Sequence, residues 1–191
     1  INEEVGYLDH PEKLKLIPGA AEAIRLINAS GMKAVVVTNQ SGVARGIFDE
    51  VVVGAVHARL RELLLMEGGF LDGIYFCPHH PTEGQGQYLL SCGCRKPAPG
   101  LILRAAAELN LDPAGSYMVG DTLKDIEAGE RVGARGVLVR TGYGAESAAA
   151  LETREEPRRK IPDGETVLVR PLHIAQDILA AVRWLLKDRK K

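Results

Sequence analysis

The sequence predicts an α/β protein, a parallel sheet with helices on both faces. Three observations predict it. Apolar strand-like runs alternate with amphipathic helical stretches, joined by short connections. The strand runs are apolar at consecutive positions, as in strands covered on both faces. The three most unusual polar stretches each follow a strand, and ligands of such sheets bind beyond the carboxyl ends of the strands.

Pro18 opens a helix with apolar residues near Ala20, Ile24 and Ile27, closed by Gly31. "KAVVVT" at 33–38 is the first strand, and "NQSGVARG" at 39–46 a loop. Asp49 can cap a long helix through 68, and "DGIYFC" at 72–77 is the second strand. After a long loop come helix 99–111, strand 116–120, helix 121–133 and strand 135–141. Residues 146–165 are charged and read as loose, and the charge run 152–160 as solvated surface. "TVLV" at 166–169 reads as a last strand, and Pro171 as the opening of a final amphipathic helix through Trp184.

With 46% hydrophobic and 26% charged residues, the 191-residue chain is an ordinary globular one. A net charge of −1 gives no broad drive toward nucleic acid or anionic membrane. No apolar run approaches the roughly 20 residues of a membrane span. Three cysteines without an evident pairing suggest a reducing compartment, hence a cytoplasmic protein, and a metal or free-thiol role.

All three cysteines lie in "CPHHPTEGQGQYLLSCGCRKP" at 77–97. Cys77 and His79 form a Cys-x-His pair, Cys92 and Cys94 a Cys-x-Cys pair, and twelve residues separate His79 from Cys92. Three thiolates and one imidazole would close a tetrahedron, the pattern of a structural zinc site, and sulfur ligands select zinc over magnesium or calcium. His80 offers a rival imidazole. "TNQSG" at 38–42 can cradle phosphate oxygens, though its residues are also plain turn formers. In "GDTLKD", Asp121 ends a strand where a carboxylate can hold a hard cation, and Asp125 lies near one helical turn on. The same pattern also fits Asp121 as a helix cap and Asp125 as a solvated residue. Arg95 and Lys96 close the cysteine loop, where Lys96 could neutralise a transferring phosphoryl group and Arg95 fork onto a second anion.

In order, "VVVTNQSG", "CPHH…CGCRKP" and "VGDTLKD" resemble the haloacid dehalogenase superfamily of phosphatases over almost the whole chain. The cysteine loop narrows the resemblance to its heptose bisphosphate phosphatase branch, with close relatives that act on histidinol phosphate. The resemblance implies a Rossmann-like fold, a capless single domain over 1–191 with a zinc loop at 77–96. It implies removal of the 7-phosphate of D-glycero-D-manno-heptose 1,7-bisphosphate through an aspartyl-phosphate, with magnesium as catalytic cofactor and zinc as structural cofactor. The expected molecule is a monomer acting on a small sugar phosphate.

Carried over by motif, Thr38, Asn39 and Lys96 hold the transferring phosphate, Asp121 binds magnesium, and Cys77, His79, Cys92 and Cys94 bind zinc. Glu4, Val5, Gly6, Tyr7, Gln40, Ser41, Arg95 and Thr122 fall at substrate-binding positions. Two departures stand out. The family's Asp-x-Asp-Gly-Thr motif precedes an "IN" dipeptide, and here the chain opens on Ile1 and Asn2, so the expectation is a chain truncated before its nucleophile. Thr122 stands where the heptose enzymes often carry lysine. Histidinol phosphate is the alternative substrate. A zinc-stapled module that binds phosphate without hydrolysing it is the alternative if the sequence is complete.

Overall fold

The computed structural model describes residues 1–152, 158–160 and 166–190. In chain order its elements are α1 (Ala20–Ala29), β1 (Val35–Asn39), α2 (Ser41–Ala44), α3 (Glu50–Met66), β2 (Gly73–Cys77), α4 (Gly100–Leu109) and β3 (Tyr117–Gly120). Then follow α5 (Leu123–Glu130), β4 (Arg135–Val139), α6 (Gly144–Glu152), β5 (Arg158–Lys160), β6 (Thr166–Leu168), β7 (His173–Ala175) and α7 (Ile178–Asp188).

β1 pairs in parallel with β2, and β4 pairs in parallel with both β3 and β7. The side-chain period of two sends alternate residues of each strand to opposite faces. On one face Val36 and Ile74 pack with Ile24 of α1 and with Val56, Leu60 and Leu64 of α3. On the other, Val35 and Val37 meet Leu101 and Ala105 of α4. β4 repeats the arrangement. Leu138 packs with Ile126 of α5 and Ala148 of α6, while Val137 and Val139 pack with Ala181 of α7. Each fully buried leucine contributes about 1.5–3 kcal/mol, so both faces hold the sheet, and the expected helices on both sides are present.

Asp49 caps α3 as expected, its carboxylate accepting from Val52 N at 3.0 Å. Three boundaries differ from the sequence reading. The loose segment begins with a helix, α6, whose Ala148 seats against the sheet. "TVLV" does not close the main sheet; β6 pairs antiparallel with β5, and β7 is the last main-sheet strand. Pro171 does not open the last helix. That helix starts at Ile178 under the cap of Asp177, which accepts from Ala180 N at 2.8 Å. Most of the charge run at 152–160 lies outside the described residues.

Among the described residues, five parallel strands fall into two groups, β2-β1 and β3-β4-β7. Between β1 and β3 runs a cleft of about 1030 Å³, lined by Val35, Val36 and Val37 on one side and Tyr117, Met118 and Val119 on the other.

Candidate active site

The carboxyl ends of β1 and β3 open onto the cleft, and the three polar loops meet there. Asn39, the last residue of β1, clamps the residue that ends the cysteine loop. Its Nδ2 donates to Lys96 O at 3.1 Å, and its Oδ1 accepts from Lys96 N at 3.0 Å. Lys96 then reaches across the cleft. Its ammonium donates to Val37 O at 2.8 Å and pairs with Asp125 Oδ1 at 2.6 Å. An ammonium has three N–H donors; the third has no protein partner among the described residues.

Asp125 is not a solvated helix residue. Its side chain is 8% exposed and that of Lys96 13%. Asp125 Oδ2 accepts from Thr122 N at 3.0 Å and from the Thr122 hydroxyl at 2.7 Å. Burial pushes the Asp125 carboxyl up, but the charge of Lys96 and these hydrogen bonds outweigh it and hold the carboxyl below the usual range. Asp121 does not cap α5 either; the cap is Thr122. The Asp121 carboxylate faces the cleft instead, with Oδ2 accepting from Tyr143 N at 3.0 Å. Its backbone carbonyl accepts from the Ser147 hydroxyl at 2.9 Å, tying β3 to α6. Gly142 makes this approach possible: its φ is +61°, and a Cβ there would collide with the Asp121 carboxylate.

Glu4, Gly6, Tyr7, Thr38, Gln40 and Ser41 also line the cleft. Gln40 Nε2 donates to the Thr38 hydroxyl at 3.4 Å. The remaining expected substrate positions lie apart from this lining. Arg95 donates to His79 O at 3.1 Å, the Thr122 hydroxyl is taken by Asp125, and Val5 is exposed beside the mouth. Thr141, Gly142, Tyr143 and Asp125 line the cleft without having been assigned there from sequence. For Asp125 the signal was present, one helical turn after Asp121. For Tyr143 it was position after a strand.

Cys77, His79, Cys92 and Cys94 converge at the far end of the same loop, their donor atoms all within 4.8 Å of one another. Cys77 Sγ is 3.0 Å from Cys94 Sγ and 3.5 Å from Cys92 Sγ, and His79 Nδ1 is 3.7 Å from Cys77 Sγ. A tetrahedron with metal–sulfur bonds of about 2.3 Å has edges of roughly 3.7 Å, so this donor set fits one metal ion. His80 is not its ligand: His80 Nδ1 accepts from Thr82 N at 3.4 Å and Glu83 N at 3.0 Å. Burial raises the Cys77 thiol above its usual range, a cost that a bound cation would reverse. Cys77 ends β2 and is fully buried, so the cluster is rooted in the sheet, and Arg95 and Lys96 follow directly from it.

Fold and site together define a phosphoric monoester hydrolase of the HAD-like class. The HAD-hydrolase-like family model matches residues 93–166. The chain is 45% identical over 143 residues to the D-glycero-beta-D-manno-heptose-1,7-bisphosphate 7-phosphatase of Pasteurella multocida, covering 74% of this chain and 77% of that protein. It is 38% identical over 189 residues to the D-glycero-D-manno-heptose-1,7-bisphosphate 7-phosphatase of Thermosynechococcus vestitus, covering 97% and 90%. The crystal structure of D,D-heptose 1,7-bisphosphate phosphatase from B. bronchiseptica, complexed with magnesium and phosphate, superposes with a TM-score of 0.78. The identity there is 31%, over 98% of this chain and 93% of that one. The chain belongs to the heptose-1,7-bisphosphate 7-phosphatase family.

Proposed function

We propose that the protein removes the 7-phosphate of D-glycero-D-manno-heptose 1,7-bisphosphate through an aspartyl-phosphate. One observation carries the reading: Asn39 at the end of β1, Lys96 of the cysteine loop and Asp125 of α5 lock into one hydrogen-bonded cluster beside Asp121 at the mouth of the cleft. Lys96 keeps a donor for a phosphate oxygen, and the Asn39 clamp and the Asp125 pair fix where it points. Such preorganised charge needs no rearrangement as the transition state forms.

The sequence contains no Asp-x-Asp. The cleft between β1 and β3 has the lining that an apolar parallel strand requires on both edges. We place the nucleophile on such a strand, seated between β1 and β3 with two carboxyl groups at its carboxyl end. One carboxylate attacks phosphorus and the ester P–O bond breaks. The other carboxyl protonates the leaving sugar oxygen, and then takes a proton from the water that cleaves the acyl phosphate, releasing inorganic phosphate. Asp121 would hold magnesium, which supplies charge neutralisation at the phosphoryl group. Cys77, His79, Cys92 and Cys94 would hold zinc, which suits three thiolates and an imidazole and leaves no open position. The 191 residues act as one domain. Three free thiols fit a reducing cytoplasm.

The test is magnesium-dependent phosphate release by the protein carrying that strand, with heptose 1,7-bisphosphate and histidinol phosphate side by side. A higher kcat/KM on the heptose bisphosphate is expected. A higher value on histidinol phosphate would overturn the substrate, and no turnover of either would overturn the reaction.

A further inference from the structure

Two large aromatic rings stand exposed at the mouth of the cleft, Tyr7 at 41% and Tyr143 at 50%. Tyr7 packs edge-on against Phe48, with ring centroids 6.2 Å apart. Tyr143 is anchored at its backbone. Its N donates to Asp121 Oδ2 at 3.0 Å, and the Glu4 carboxylate lies beside its phenol. Glu4 is itself fixed, since its Oε1 accepts from Gly6 N at 2.7 Å. The adjacent Glu4 charge, with a smaller contribution from burial, raises the Tyr143 phenol above its usual range.

A half-exposed ring contributes little to the core. Its anchored backbone fixes where the ring emerges at the mouth, as a preorganised contact surface requires. Its backbone is bonded to the Asp121 carboxylate that faces the cleft, so on the reading above the ring sits next to whatever a phosphate bound there is attached to.

We propose that Tyr143 is a substrate-binding residue that stacks its ring on the C–H face of the sugar, and that Glu4 is a positioning residue setting the ring's angle. The inference rests on the sugar-phosphate reading above. It predicts an effect on binding the sugar that a ring-free phosphate does not share.

The experiment measures kcat and KM, in the protein carrying the strand proposed above, for heptose bisphosphate and for acetyl phosphate, which has no ring. The variants are Tyr143→Ala, Tyr143→Phe, Glu4→Ala and the Glu4/Tyr143 double alanine. An aromatic contact of about 0.5–1.5 kcal/mol corresponds to roughly 2- to 12-fold. Tyr143→Ala is expected to raise the KM for the sugar by that factor, and to lower the ratio of sugar to acetyl phosphate kcat/KM equally. Tyr143→Phe keeps the ring and should recover most of the loss. The double variant should lose no more than Tyr143→Ala alone, because Glu4 acts through the ring. Equal losses on both substrates, or no change in the ratio, would overturn the proposal. If the wild-type protein prefers another phosphate ester, the heptose reading fails, yet the same comparison on that ester against acetyl phosphate still decides the role of Tyr143.

Discussion

Lys96 and Asp125 illustrate what one buried charge pair does for this site. Both side chains are largely withdrawn from water, and each satisfies the other together with Val37 O and Thr122. Removing one partner of a buried pair leaves an uncompensated charge and costs about 3–5 kcal/mol. Asp125→Asn is therefore expected to lower the unfolding free energy by that order in urea titration; a loss below about 1 kcal/mol would mean that the pair contributes little. The pH dependence follows from the depressed Asp125 carboxyl. Between its folded value and the unfolded value of about 3.9, the unfolded chain binds the extra proton. The stabilisation is complete above about pH 4 and is lost as pH falls through the folded value, so Asp125→Asn should flatten the acid limb of the stability curve. Lys96→Ala should cut turnover by about 100-fold or more while metal content stays constant; intact turnover would refute its role. The sequence showed Lys96 and Asp121 as site candidates, but left Asp125 ambiguous. Residue spacing says that Asp125 lies one helical turn from Asp121, and only the tertiary fold says which neighbour it faces.

At the scale of elements, the convergence of Cys77, His79, Cys92 and Cys94 was legible because ligand chemistry is local: two close-spaced donor pairs must converge to be useful. Helix ends were less legible. Pro171 is a common first-turn residue, yet the chain uses it before β7 and begins α7 only after the Asp177 cap. α6 was masked by its charged continuation, while its burial depends on Leu138 and Val169 from elsewhere in the chain. The loop's role also predicts its failure. Cys77 ties the cluster to β2, and Lys96 lies two residues past Cys94. Stripping the metal should therefore loosen Arg95 and Lys96 as well as the fold. Metal analysis should give one zinc per chain. Against zinc at a few hundred times its Kd, chelation should remove about 3 kcal/mol, roughly 6–12 °C in Tm for a chain of this size. Phosphatase activity should fall with it and return on adding zinc. Recovery with magnesium alone would show that the cysteine cluster is not what holds the loop.

The whole molecule poses a question of sheet continuity. β1 and β3 each pair on one side only among the described strands, and their other edges face the cleft. Backbone N–H and C=O groups along such edges need partners, and each one buried without a partner costs about 1–3 kcal/mol. The valines of β1 and the apolar stretch of β3 would also leave their shared cleft as apolar surface in water. The parallel direction of the strands could be read from apolar runs alternating with helices, because it follows from chain-local patterning; the last main-sheet strand, β7, could not. The division into two groups could not, because pairing between strands distant in sequence leaves no local mark. A strand seated between β1 and β3 would join the groups into one parallel sheet and deliver its carboxyl end beside Lys96 and Asp121. Hydrogen exchange provides the test. In the 191 residues alone, the β1 and β3 amides facing the cleft should exchange far faster than those facing β2 and β4. An apolar dye should bind, and no phosphate should be released. In the protein carrying an apolar strand that ends in Asp-x-Asp, those amides should become as protected as their neighbours, dye binding should vanish and turnover should appear. Turnover by the 191 residues alone would place the nucleophile among them and overturn the assignment of the cleft.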